Sequence, residues 1–159
     1  MTSTIASRAV KDVLGTYTRR TAALPPATGV SADLFSVDGG AVLLTGFYGY
    51  VSVAIPNVSL DFDLALDPDD GGTDVALASL LAVDNTAVGT WFSLNATAGG
   101  ALVATVDVSY GVRLATPIVL DKGDVKLNVA GGGAVGTTAR VEWGAFWLPL
   151  QAGGVLTAV

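Results

Sequence analysis

The stretch LDFDLALDPDDGGTDVAL, residues 60–77, holds the side chains of this chain that are best suited to chemistry. Its six aspartates lie within fourteen residues, with no basic side chain among them: Asp61, Asp63, Asp67, Asp69, Asp70 and Asp74. Carboxylate oxygens at short spacing are ligands for Ca²⁺, and a pair of carboxylates can act as general acid and base. Three interpretations are therefore open for this stretch: a metal site, a catalytic pair and a solvated turn.

The spacing of the aspartates does not match an EF-hand loop, which needs oxygen ligands at positions 1, 3 and 5, Gly at 6 and Glu at 12. Counting from Asp67 puts Ala78 at position 12, and counting from Asp61 fails at position 6. A calcium site with an irregular set of oxygen ligands is still a possible interpretation, and its candidate ligands are Asp67, Asp69, Asp70 and Asp74. Otherwise DPDDGG is a turn, because Pro68 and Gly71–Gly72 supply turn dihedrals and the carboxylates keep an exposed edge soluble.

Outside the acidic stretch, the chain has few residues that could act as nucleophile, general base or metal ligand. The chain has no Cys and no His, which removes the usual nucleophile–base pairs, zinc sites and disulfides. The one glutamate, Glu142, precedes Trp143, as in some sugar sites, but Val141, Trp143 and Trp147 share one strand face, which favours a core or an interface. The loop GGGAVG, residues 131–136, lacks the Lys-Ser/Thr of a phosphate-binding loop. We predict no catalytic residue, no cofactor and no enzymatic activity.

Charge is unevenly distributed along the chain. The formal net charge is −6, of which residues 1–20 contribute +3 and the remaining residues −9. An acidic body of this kind does not predict nucleic-acid binding, whereas the basic N-terminal segment suits an acidic partner surface. The alternative to a partner contact is that the N-terminal segment is a solvated amphipathic terminus. The basic residues that we predict as contact residues are Arg8, Lys11, Arg19 and Arg20.

The chain has more apolar surface than a typical soluble domain. It is 51% hydrophobic and 14% charged, against about 25% charged residues on average, and its mean hydropathy is +0.58. The charge-free runs 39–60 and 85–106 contain Gly, Pro or Asn and predict no membrane helix, and charged residues near the start predict no signal peptide. The surplus predicts a subunit interface. The aromatic candidates for trimer contacts or core positions are Tyr48, Tyr50, Trp91, Phe146 and Trp147.

The N-terminal segment has a helical pattern. In STIASRAVKDVLGTY, residues 3–17, apolar side chains recur at helical spacing, with Gly15 as a possible stop. This pattern predicts a short helix or an extended arm. Pro25 and Pro26 then break regular structure. We therefore divide the chain into an arm, residues 1–27, and a body, residues 28–159.

The body has the period of two that is typical of strands. Leu60, Phe62, Leu64 and Leu66 alternate with mostly acidic residues, which places the aspartates away from the core. Two hairpins are predicted, one turning at Asp38-Gly39-Gly40 and the other at Asp121-Lys122-Gly123-Asp124. VALASLLAV, residues 75–83, is ambiguous between a strand and one or two helical turns. The body is predicted to be an all-β antiparallel sandwich or barrel of jelly-roll-like form.

Two segments resemble small all-β virion proteins of tailed bacteriophages. GTTARVEWGAFWLPLQAGGVLTAV, residues 136–159, has a Gly/Thr loop, an alternating strand with Trp, a Pro-Leu stop and a Gly-Gly tail. ADLFSVDGGAVLLTGFYGYVSVAIPNVSLDFDLALDPDDGG, residues 32–72, has a Phe-x-Val-x-Gly-Gly strand, a hydrophobic strand and an acidic turn. Together these segments cover about 40% of the chain.

The resemblance implies a capsid decoration, or cement, protein. Such a protein is a non-enzymatic virion component, often a homotrimer, that is assembled in the host cytoplasm and binds the outside of the capsid lattice. Its partners would be the major capsid protein and further copies of itself, with an arm reaching neighbouring subunits, and not nucleic acid or membrane. A tail tube or minor tail subunit is one alternative function. A calcium-dependent carbohydrate-binding module, in which Trp and Asp engage sugar, is another.

Overall fold

The protein is built from β-strands. The computed structural model describes residues 15–24, 29–94, 100, 102–105, 113–132 and 138–159. This part of the chain contains eleven strands and no helix that could cross a membrane. The strands are β1 (Thr16–Ala23), β2 (Val30–Asp38), β3 (Val42–Val53), β4 (Asp61–Pro68), β5 (Val75–Ala82), β6 (Trp91–Ser93), β7 (Val103–Thr105), β8 (Arg113–Leu120), β9 (Gly123–Ala130), β10 (Arg140–Pro149) and β11 (Val155–Ala158).

The strands form two antiparallel sheets that pack as a sandwich. Sheet A has the order β1-β10-β3-β6-β7, and β8 pairs with β3 beyond the end of β6. Sheet B has the order β11-β2-β9-β4-β5. The all-β prediction is therefore confirmed, and of its two forms the structure is the sandwich.

The order of the strands gives the sandwich a jelly-roll topology. Early strands pair with late strands in reverse order: β1 with β10, β2 with β9, β3 with β8, and β4 with β5. The chain thus forms strands β1 to β4 first, and the later strands β5, β8, β9 and β10 pair with them in reverse order, as in one long hairpin folded across two sheets. This arrangement is that of double-sheet jelly rolls.

The core lies between the sheets and follows the alternation of the strands. In β4, Phe62 and Leu64 are buried while Asp61 and Asp63 lie on the outer face, as predicted. The neighbouring β9 repeats this pattern with buried Val125, Leu127 and Val129. From sheet A the largest buried side chain is Trp143, in β10, which contacts the rings of Phe47 and Phe92.

Both predicted hairpins are wrong in their pairing. The Asp38–Gly40 turn connects β2 in sheet B to β3 in sheet A, and Asp121–Lys122 connects β8 in sheet A to β9 in sheet B. Each connection therefore crosses the sandwich instead of joining neighbouring strands. The glycines do have the expected turn role, because Gly39 has φ 71° and Gly123 has φ 145°, in the region that favours glycine.

The N-terminal helix predicted over residues 3–17 falls mostly on residues 1–14, which lie outside the described residues. The last part of that segment is extended, since Thr16 begins β1. β1 is the edge strand of sheet A and pairs with β10, so Arg19 and Arg20 lie within the sheet. The predicted boundary at Pro25 and Pro26 also lies outside the described residues. The ambiguous VALASLLAV segment forms a strand, β5.

Candidate functional site

The outer faces of the two sheets differ in chemistry. The outer face of sheet B is acidic along β4 and β9, where the outward positions include Asp61, Asp63, Asp67, Asp124, Lys126 and Asn128. The outer face of sheet A instead carries a row of aromatic side chains. Because outward positions of a sandwich are mostly polar and single exposed apolar residues are common, it is the contiguous aromatic row that needs a functional explanation.

Five aromatic side chains from four neighbouring strands form this row, which we call the aromatic strip. Its members are Tyr17 in β1, Phe146 in β10, Tyr48 and Tyr50 in β3, and Trp91 in β6. Strand register brings them together, because Tyr17 lies opposite Phe146 and Tyr50 lies opposite Trp91. Four of the five are half-buried, and Tyr17 at the edge is 44% exposed.

The rings of the aromatic strip are in continuous contact across the sheet. Ring centroids are 4.9 Å apart for Phe146 and Tyr17, 6.5 Å for Tyr17 and Tyr48, 5.2 Å for Tyr48 and Trp91, and 4.9 Å for Trp91 and Tyr50. The Tyr17 and Tyr48 rings are nearly parallel, with an interplanar angle of 9°. These separations are those of favourable aromatic pairs. The strip is therefore a single packed surface and not a set of isolated rings.

Tyr48 is the central ring of the strip and is held from two sides. A Cβ atom on Gly144 would collide with the Tyr48 ring, so the ring lies against bare backbone of β10. The Tyr48 and Tyr17 hydroxyl oxygens are 2.5 Å apart and share a hydrogen bond. Burial raises the pKa of Tyr48, and the hydrogen bond to Tyr17 raises it further. The Tyr48 hydroxyl is therefore kept neutral over the ordinary pH range.

The charged residues of β1 are paired with the body of the protein. Arg19, next to the strip, forms a salt bridge with Glu142 of β10. Arg20 donates from Nε to the main-chain oxygen of Val159 at 2.6 Å. Burial lowers the pKa of Arg20, and the charge of Asp33 opposes this shift. Two of the four basic residues predicted to contact a partner are thus held in the sandwich. The other two, Arg8 and Lys11, lie outside the described residues.

An aliphatic row extends the apolar surface of sheet A beyond the strip. Leu43 of β3 lies opposite Leu148 of β10 on one side and opposite Val119 of β8 on the other. Leu148 is 40% exposed and Val119 is 60% exposed. Together with the aromatic strip, this row makes a continuous apolar area on the outer face of sheet A, with Arg113 of β8 exposed beside it.

The structure separates the five aromatic candidates into two groups. Tyr48, Tyr50, Trp91 and Phe146 lie together in the strip. Trp147 instead faces the core at 7% exposure, where its Nε1 donates to Thr18 Oγ1 at 3.0 Å.

Sequence reasoning missed Tyr17, which it placed on a helical stripe. The available signal was the alternation of Tyr17, Arg19 and Thr21 in TYTRRT, which predicts one outward strand face. Gly144 was missed as well, and it has no local signal, because its role depends on a ring from another strand.

Three side chains of the acidic stretch are engaged with nearby polar groups. Asp67 forms a salt bridge with Lys126, and this hydrogen bond raises the pKa of Lys126. Asp63 accepts a hydrogen bond from Asn128 at 2.6 Å, and Asp70 accepts one from the Gly72 amide at 2.9 Å.

The calcium candidates Asp67, Asp69, Asp70 and Asp74 do not converge on one point. Over the residues that the structure describes, no group of three or more His, Cys, Asp or Glu side chains is placed to hold a metal ion. Residues 69–74 instead connect β4 to β5, and Asp70 accepts a hydrogen bond from the Gly72 amide within this connection.

Sheet B also carries a shallow, open groove of about 450 Å³. Asp63, Asp74 and Asn128 lie along it, with Ser79 and Leu80 of β5. Substrate sites are normally concave pockets that enclose most of their ligand, so an open groove of this kind is a poor match for one.

Comparison of the chain with protein-family models, with curated proteins and with solved structures finds no match. The functional argument therefore depends on the fold and on the contrast between its two outer faces.

Proposed function

We propose that this protein is a non-enzymatic structural component of a bacteriophage virion, which binds the outer surface of the capsid lattice and reinforces the head. The observation that supports this proposal best is the contrast between the apolar outer face of sheet A and the acidic outer face of sheet B. A protein that coats a larger assembly needs one adhesive side and one solvated side. The two sheets of this sandwich have these two properties.

The residue types of the aromatic strip support an assembly role. Tyr, Trp, Phe and Arg are enriched in the buried centres of protein interfaces, whereas isolated surface aromatics on a monomer are few. The carboxylates of sheet B have the opposite tendency, because they stay hydrated and repel other acidic molecules. In the proposed assembly, sheet A faces protein neighbours and sheet B faces solvent.

The N-terminal segment is the proposed contact with the capsid lattice. Residues 1–14 carry Arg8 and Lys11 and join the sandwich at Gly15, which lies against the main chain of Trp147 and the side chain of Leu148. Gly15 therefore lies at an edge of the apolar sheet. In a homotrimer, three such segments bind with an increased effective concentration, so each single contact with the major capsid protein can be weak.

Co-sedimentation with empty phage heads that lack a decoration protein tests the proposal. The deletion variant should remove residues 1–14 only, because Thr16–Ala23 form β1. We expect the full chain to sediment with the heads, and the deletion variant and an Arg8→Gln/Lys11→Gln variant to bind at least tenfold more weakly. The matched control is Lys122→Gln, which removes an exposed positive charge from the body. Absence of binding by the full chain would contradict the proposal.

Carbohydrate binding is the second candidate function, and the aromatic strip is the observation that favours it. Sugar rings stack on exposed aromatic side chains, and the strip offers five in a row. Affinity electrophoresis through soluble polysaccharides, with Ca²⁺ and with EDTA, tests this function. Retardation that disappears in EDTA would support the calcium-dependent form of this candidate.

A further inference from the structure

We infer that the occupant of the aromatic strip is a second copy of this chain. The inference rests on the proposed function, which gives sheet A the role of assembly surface, and it names the partner at that surface. The capsid lattice is then contacted through the N-terminal segment, while the strip holds the copies together. Three observations on the strip and its surroundings favour a self-contact.

The first observation is the distribution of charge. Of the charged side chains beside the strip, Arg19 and Glu142 neutralise each other and Arg113 of β8 adds a positive charge, whereas the outer face of sheet B is acidic. A cationic partner would be attracted to sheet B and not to the strip. Two copies of a chain with net charge −6 approach most easily with their acidic faces apart, which leaves the outer face of sheet A for the contact.

The second observation is that the polar groups at the β1 edge of the strip are paired with each other. The Tyr17 and Tyr48 hydroxyls share a hydrogen bond, and the Arg19 guanidinium is bound to the Glu142 carboxylate. A polyhydroxylated sugar needs free donors and acceptors beside the ring that it stacks on. The paired groups at this edge can instead be buried against another protein surface without leaving a donor or acceptor unsatisfied.

The third observation is the extent of the apolar surface. At the usual strand spacing and rise it spans about 14 Å from β1 to β6 and about 23 Å along β3 from Leu43 to Tyr50. A specific interface buries roughly 800 Å² on each partner, with an apolar centre and a polar rim. The strip and the aliphatic row match the centre of such an interface, and the neighbouring polar residues supply the rim.

Solution mass is the first test, measured by light scattering on the full chain. We expect a multiple of the 16.0 kDa chain mass, with the trimer as the proposed state. Tyr17→Glu places a charge at the exposed edge of the strip and should weaken association at least tenfold. The matched control is Leu80→Glu, which changes a 56% exposed residue of sheet B and should leave the mass unchanged. Urea unfolding midpoints show that both variants are folded.

Cysteine cross-linking is the second test and needs only a mild substitution. The chain has no cysteine, so a single introduced thiol can form a disulfide only with another copy. Tyr17→Cys or Tyr50→Cys should give covalent dimers under mild oxidation at micromolar concentration. Leu80→Cys should remain monomeric on a denaturing gel.

The outcomes separate this inference from the proposed function. A monomeric full chain that still sediments with phage heads would overturn the self-contact and leave the proposed function in place. A multimer that Tyr17→Glu does not weaken would also overturn it. If the wild-type protein is monomeric and a polysaccharide retards it in affinity electrophoresis, and if Tyr17→Glu abolishes this retardation, the strip binds sugar instead. Loss of multimers in Tyr17→Glu, with cross-links at positions 17 and 50 but not at 80, supports the inference.

Discussion

Two glycines determine how aromatic rings are placed on either side of sheet A. Gly49 of β3 lies opposite Trp143, and Gly144 of β10 lies opposite Tyr48. A Cβ atom on Gly49 would lie 2.6 Å from the Trp143 ring in the core, and one on Gly144 would collide with the Tyr48 ring on the surface. At both positions an aromatic ring packs on a neighbouring glycine, a device that fixes strand register.

Alanine substitution at these glycines should have different consequences on the two sides. Trp143 is 1% exposed and has no room to move, so Gly49→Ala should lower the free energy of unfolding by about 1–3 kcal/mol. Tyr48 is half-buried and can swing outward, so Gly144→Ala should cost less stability but displace the centre of the strip. Urea unfolding measures the first effect and light scattering the second. Equal losses of stability, with self-association unchanged in Gly144→Ala, would contradict this account.

The raised pKa of Tyr48 predicts how stability depends on alkaline pH. In the unfolded chain the Tyr48 hydroxyl ionises with its ordinary pKa of 10.0. In the folded protein, burial and the hydrogen bond to Tyr17 raise this pKa and keep the hydroxyl neutral. The contribution of neutral Tyr48 to the free energy of unfolding is therefore complete below about pH 10, and it is lost as pH rises toward the pKa of Tyr48 in the folded protein. Urea unfolding between about pH 9 and about pH 11 should show that the free energy of unfolding falls more steeply with pH for the wild type than for Tyr48→Phe. Parallel curves would show that Tyr48 does not titrate differently in the two states.

At the scale of elements, most strands of the body were predictable and their partners were not. Alternation along β4 and β9 predicts both the strand and its buried face, because side-chain period is a local property. The turns at Asp38–Gly40 and Asp121–Lys122 carry the glycines of tight reversals, yet they cross between sheets. A turn signal specifies that the chain reverses, whereas the partner of the next strand depends on contacts that are distant in sequence.

The same limit applies to the aromatic strip. Tyr48, Tyr50, Trp91 and Phe146 were predicted as interface or core candidates because of their type alone. Their grouping on one face depends on the pairing of β3 with β10 and β6, and the addition of Tyr17 depends on β1 forming the sheet edge. Tyr17 fits a helical stripe with the residues before it and a strand pattern with those after it, so its local sequence does not decide between them.

A hydrogen-bonded relay at one edge of the sandwich connects three strands. Trp147 donates to Thr18 Oγ1 at 3.0 Å, and Thr18 donates to the Leu156 carbonyl at 2.9 Å, which links β10, β1 and β11. Thr18→Val should leave the buried Trp147 N–H without its acceptor and lower the free energy of unfolding by about 1–3 kcal/mol. Thr21→Val, at an exposed position of the same strand, is the control. A similar change in urea midpoint for both variants would contradict a role for the relay.

At the scale of the whole molecule, the jelly roll separates two chemistries that are interleaved in the sequence. Because β3 and β10 lie in one sheet and β4 and β9 in the other, the aromatic residues gather on one side and the aspartates on the opposite side. The acidic stretch is then a solvated face and turn, with Asp67 paired to Lys126. A molecule with one adhesive and one repelling side can assemble in a layer without aggregating in all directions.

The most direct test of the assembly surface is acrylamide quenching of Trp91 fluorescence over a dilution series. Trp143 and Trp147 are 1% and 7% exposed, so the quenchable fluorescence comes mainly from Trp91 within the strip, and Trp91→Phe supplies the background. We predict that the quenching constant rises at least twofold on dilution from high to low concentration, as the copies separate and Trp91 becomes accessible. A constant quenching value, in a protein whose mass changes over the same range, would place the contact elsewhere and contradict the account.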